Sequence, residues 1–128
     1  MEKRFFTVVQ VQALLPTLKE LVGQVVQISE KLEGQRAVVE KFAESSANDS
    51  GGREGGPYLK GLTLMHDSLE QIRSMGCMVK SVELGLIDFP HLKDGREVYL
   101  CWKYGEEDIL YWHEVDQGLM GRIPLAEE

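Results

Sequence analysis

Hydrophobic positions along the chain change period near Cys77. Upstream, Leu18, Leu21, Val25, Ile28, Leu32, Gln35, Val39 and Phe42 follow alternating steps of three and four. That spacing lays one seam along a helix, with Gln35 as a polar interruption. Thr7 is placed to cap a short helix over Val8–Leu15. Pro16 suits the first turn of a new helix better than the middle of one, so the long helix is expected from Pro16 to about Glu44, roughly 45 Å in length. Ser45–Gly56 reads SSANDSGGREGG, a loop composition without a large apolar residue. Pro57 restarts a helix, and Tyr58, Leu62, Met65, Leu69, Ile72, Gly76 and Val79 form its seam. Two seams joined by one loop pack as an antiparallel hairpin.

After Cys77 the apolar positions alternate, as they do on a strand with one buried face. Val82, Leu84 and Leu86 mark a first strand, Val98, Leu100 and Trp102 a second, Leu110 and Trp112 a third. Asp88–Gly95 (DFPHLKDG) reads as the turn between the first two. The expected fold class is α+β: a long two-helix hairpin, with a short N-terminal helix, packed at one end on a three-stranded antiparallel meander. One domain is expected over 1–128, with the hairpin in 7–80, its loop at 45–56, and the meander and tail in 81–128. Leu14, Val22 and Val26, with Met75 and Met78, widen the apolar stripe at the sheet end, so the sheet should dock there.

The 14 basic and 21 acidic residues give a net charge of −7. Residues 81–128 hold four basic and eleven acidic residues and carry all of it. Phosphate recognition needs clustered Lys and Arg, so neither nucleic acid nor an anionic membrane is an expected partner. Lys3 and Arg4 before Phe5–Leu18 imitate a signal peptide, but Gln10, Gln12 and Pro16 interrupt the run. No stretch reaches the ~20 apolar residues of a spanning helix. Cys77 and Cys101 form no Cys-x-x-Cys motif and read as buried, reduced thiols in a cytoplasmic protein.

Symmetric turns would pair Leu84 and Leu86 with Leu100 and Val98, and Leu100 with Trp112. The other face would then carry the rows Glu83–Cys101–Tyr111 and Gly85–Tyr99–His113, with Glu97 and Lys103 nearby. Gly85 would leave room there for a ring or a ligand. Glu97, Tyr99, His113 and Arg122 are the candidate ligand-binding residues. His113, Glu114 and Asp116 are a candidate metal set, with a divalent metal as the cofactor left open. Against that set, His113 and Glu114 point to opposite faces on a strand. Cys101 and His113, expected ~7–8 Å apart as diagonal neighbours, make a weak nucleophile–base pair. No catalytic motif is recognised. His66 with Glu70 reads as a surface pair, and His91 as a solvated loop residue. Arg122 should be held by a carboxylate, Asp116 first and Glu114 second.

Four segments together resemble a known family: Phe6-Thr7 with Leu14-Leu15-Pro16; Gly85–Pro90 (GLIDFP); Gly95–Lys103 (GREVYLCWK); and Trp112-His113-Glu114 with Gly121–Leu125 (GRIPL). The family is the prokaryotic one catalogued as domain of unknown function 2203. The resemblance implies a small bacterial cytosolic protein and no particular activity. It points to Glu97, Tyr99, His113, Glu114, Asp116 and Arg122 as the place for any site. Two functions follow from the residues. The first is an interaction module that forms a homodimer through the helical hairpin, since seam positions run beyond what one small sheet can cover. The second is a metal- or small-ligand-binding protein that uses the polar sheet face and the tail.

Overall fold

The computed structural model describes the backbone of residues 4–45 and 52–125, and side-chain surroundings for 4–34, 56 and 58–125. Helix α1 spans Val8–Ser45 and α2 spans Gly52–Ser74. Five strands follow: β1 (Met78–Ser81), β2 (Leu86–Lys93), β3 (Arg96–Lys103), β4 (Tyr111–Glu114) and β5 (Ile123–Pro124). They form one antiparallel meander in chain order. The expected three-strand meander gains an edge strand on each side, but its first strand moves. Val82 and Leu84, expected on it, lie in the turn between β1 and β2. Residues 88–93, expected as turn, belong to β2, and Val79, expected on the second helix, lies in β1.

Thr7 caps α1 as expected, in a reciprocal arrangement. The Gln10 amide donates to Thr7 Oγ1 (3.1 Å), and the Thr7 amide donates to Gln10 Oε1 (2.9 Å). Pro16 does not start a second helix; α1 runs through it. Its ring lies on the exposed face, where the Gln12 carbonyl that loses its helical partner is near solvent. α2 begins at Gly52 rather than Pro57. The rest of the expected loop, 46–51, and the side chains of Gln35, Val39 and Phe42 lie outside the described residues.

The core joins Val11, Leu15, Leu18, Val22 and Val25 of α1 and Ile72 of α2 to Ile87, Phe89, Val98, Leu100, Trp102 and Trp112 of the sheet. Leu14, Val26, Leu69 and Met75 pack around it. The sheet therefore docks where the apolar stripe widens.

The β3–β4 register agrees with the expected one: Leu100 pairs with Trp112 and Tyr99 with His113. The β2–β3 register does not. Ile87 pairs with Trp102 and Phe89 with Leu100, because the turn is the two residues Asp94-Gly95. Both have positive φ, +53° and +80°, as a tight two-residue hairpin turn requires. β2 consequently runs straight through Pro90. The Pro90 carbonyl accepts from the Phe6 amide (2.7 Å), so its N and O point away from β3. The β1 ladder ends at Met78–Asp88, and the missing N–H of Pro90 falls just past it. His91 lies on β2, its Nδ1 2.6 Å from the Phe6 carbonyl, not in a solvated loop.

Gly85 is not on the polar face either. It has φ +66°, and a Cβ there would stand 2.5 Å from Tyr104 Cβ and 3.0 Å from Val22 Cγ1. The room it leaves is filled by the protein's own helix–sheet contact.

Candidate functional site

Strand alternation divides the sheet's side chains. Val79, Ile87, Phe89, Leu100 and Trp102 turn toward the helices. On the other face the register lines up Met78, Asp88, Cys101 and Tyr111 across four strands. The adjacent row holds Pro90, Tyr99 and His113.

This face is polar and yet closed. Asp88, Cys101 and His113 have relative exposures of 1%, 0% and 2%. His113 Nε2 stands 3.0 Å from Asp88 Oδ2. The two residues flank β3, so their side chains meet across it. Their ligand atoms and Cys101 Sγ all lie within 4.8 Å of one another. His113 Nδ1 lies 2.7 Å from the Glu114 carbonyl. A carbonyl only accepts, so Nδ1 carries a hydrogen. Asp88 Oδ1 is buried without a hydrogen-bond partner.

Around this centre, Tyr99 presents its ring edge-on to His113 at 5.6 Å between centroids. Lys80 Nζ lies 5.2 Å from the Tyr99 centroid. Arg122 crosses the Tyr111 ring at 4.0 Å. It donates to the Cys101 carbonyl (3.2 Å) and to Glu106 Oε1 (2.7 Å). Burial works to lower the Arg122 pKa, but Glu106 and Cys101 outweigh it and hold the guanidinium above its ordinary value. Burial first, and the Asp88 charge second, push the Cys101 thiol up to about 12. At neutral pH the thiol is protonated and is no activated nucleophile, although it lies nearer His113 than the expected diagonal spacing.

Among the sequence candidates, Tyr99 and His113 come together. Arg122 reaches the same region through the Cys101 backbone, and Glu97 sits on the same face nearer the Asp94-Gly95 turn. The set His113, Glu114 and Asp116 does not converge. Glu114 points to the opposite face and pairs with Arg96, whose hydrogen bond holds the Glu114 carboxyl below its ordinary range. Asp116 lies exposed in the turn after β4. Arg122 is held by a carboxylate, as expected, but by Glu106. β5 runs antiparallel to β4, with Pro124 opposite Tyr111 and Ile123 opposite Trp112, and from just before β5 the Arg122 side chain reaches back over the Tyr111 ring to Glu106 in the β3–β4 connection. Glu114 and Asp116 lie at the other end of β4.

Asp88 is the residue that sequence reasoning missed. It stood in a segment read as turn, DFPHLKDG. The Asp-Gly pair flanked by alternating residues was the available signal: centring the turn there places Asp88 in mid-strand beside Cys101.

A second feature lies on the helices. Leu59, Leu62 and Leu64 of α2 have relative exposures of 62%, 42% and 53%. Ile28 and Leu64 with Gln24, Gln27, Glu30 and Lys31 line an open groove of about 660 Å³ between α1 and α2. Among the described residues, no helix is long and apolar enough to cross a membrane.

A family model described as "Uncharacterized conserved protein (DUF2203)" matches residues 4–125. No curated protein matches the chain, and no solved structure matches it.

Proposed function

We propose, from the premise that this chain belongs to the DUF2203 family of uncharacterized conserved proteins, that it is a cytoplasmic self-association module. Two copies join through their helical hairpins. One observation carries this reading: the hairpin overhangs the sheet and keeps large apolar side chains in solvent there.

The lengths make the overhang. α1 has 38 residues and α2 has 23, about 57 and 35 Å at the helical rise. The longest strands have eight residues, about 26 Å. The sheet covers the hairpin from Val11 to Val25 and near Ile72. Beyond that, Leu32 is buried between the helices, while Leu59, Leu62 and Leu64 are exposed. Two helices have too little mutual surface to enclose all their apolar positions; four do. A second copy offers the same leucines across a two-fold axis, as a closed symmetric dimer requires. The free thiols Cys77 and Cys101 are compatible with a reducing compartment.

Light scattering on the full chain at micromolar concentration tests this directly. The expected mass is twice the 14.5 kDa of one chain. Leu59→Glu with Leu64→Glu should return the protein to one chain's mass with unchanged helical circular dichroism. A wild-type mass of 14.5 kDa would overturn the reading.

A further inference from the structure

We propose that Asp88, Cys101 and His113 form a zinc site on the sheet face turned away from the helices. This goes beyond self-association and involves a different part of the molecule.

The first ground is convergence. Among the described residues, these three donors gather closely enough to share an ion, with all ligand atoms within 4.8 Å. They come from three adjacent strands, β2, β3 and β4, whose ladders fix their spacing. Zinc bonds of ~2.0–2.3 Å imply ligand–ligand separations of roughly 3.3–3.7 Å.

The second ground is unsatisfied valence. Asp88 Oδ1 is buried with no partner. Such an atom costs stability unless something cationic or donating meets it. A metal ion between Asp88 and Cys101 would do so.

The third ground is orientation. With its hydrogen on Nδ1, facing the Glu114 carbonyl, His113 presents Nε2 to Asp88 Oδ2 at 3.0 Å. The Glu114 carbonyl would orient the imidazole toward a bound ion, as a backbone carbonyl does for many metal-bound histidines.

The donor set selects the metal. A thiolate with an imidazole and one carboxylate suits zinc and not magnesium or calcium, which take oxygen donors. Three protein donors would leave zinc's fourth position to an exogenous ligand such as water. On binding, the Cys101 thiol proton leaves to solvent, as is usual when metal displaces protons from its ligands.

The test uses the full chain, purified under reducing conditions and freed of metal with a chelator. It is titrated with zinc against a chromophoric competitor, and separately with cobalt(II). One equivalent of zinc should bind, with proton release measurable in weak buffer. Cobalt should give an ultraviolet thiolate-to-metal charge-transfer band. Cys101→Ser should abolish that band, and Cys77→Ser should leave it intact. His113→Gln should weaken zinc by more than the ~10–100-fold that losing an outer-shell partner costs. If a variant does not fold, the wild-type cobalt spectrum decides alone. A wild-type protein that shows no thiolate band, or a folded Cys101→Ser that binds zinc like wild type, would overturn the site. Neither result bears on the dimer, which is read by mass.

Discussion

Cys77 and Cys101 show how far burial governs chemistry at single residues. Both are buried, and desolvation raises each thiol from an ordinary 9.0 to about 12. The folded state therefore holds these protons more tightly than the unfolded chain does. The resulting stability is fully present below pH 9. It is lost as the pH rises from 9 toward 12, where the unfolded thiols ionise and the folded ones do not. The melting temperature of metal-free protein should fall over that interval, and a Cys77→Ala/Cys101→Ala variant should fall less steeply. Thermal melts of both proteins from pH 8 to 11 provide the comparison; parallel slopes would contradict the assignment.

Arg122 acts between elements. Just before β5, it crosses the Tyr111 ring of β4 and reaches the β3 backbone at Cys101 and the Glu106 carboxylate in the following turn. Glu106 is itself built into that turn, since its Oε1 also accepts the Lys103 amide at 2.8 Å. The clasp ties a two-residue strand, too short to hold by its ladder alone, to the middle of the sheet. The pair is 13% and 19% exposed, between a surface pair worth ~0–1 kcal/mol and a buried one whose breaking costs ~3–5 kcal/mol. Arg122→Met should therefore cost about 1–3 kcal/mol in urea denaturation. Glu106→Gln should add little once Arg122 is gone, the mark of coupled partners. Full additivity would show that the two do not act together.

At the scale of the whole molecule, order is distributed unevenly. Core side chains concentrate where the sheet meets the first half of α1 and the last half of α2. The β3–β4 connection adds to that end, with Lys19 Nζ donating to the Glu107 carbonyl (2.7 Å) and Gln12 binding Asp108 and the Ile109 amide. Among the described residues beyond the sheet, Leu59, Leu62 and Leu64 lack such cover. If a second copy supplies it, amides over 58–65 of α2 should exchange slowly at high protein concentration and faster on dilution. Those in the middle of β2 and β3 should stay protected throughout. Hydrogen exchange followed by mass spectrometry at two concentrations separates the regimes; concentration-independent exchange over 58–65 would contradict arm pairing.

The sequence by itself determined what depends on neighbours along the chain. Thr7 and Gln10 are three residues apart, and their cap is local. The heptad steps need no partner to define which helix face is apolar, and alternation around Leu100 and Trp112 was enough to align β3 with β4. The tertiary structure decided what depends on residues far apart. Pro90 could stay in a strand because the β1 ladder stops before it and Phe6 meets its carbonyl. The narrow Asp94-Gly95 turn then shifted β2 against β3, since a hairpin's register follows its turn. That shift moved Gly85 under Tyr104 and brought Asp88 beside Cys101. Asp88 and His113 are 25 residues apart, and a contact at that separation is set by strand order and register together. Residue type alone could not reveal it, because an Asp before Phe-Pro has the same composition in a solvated turn as in a buried strand.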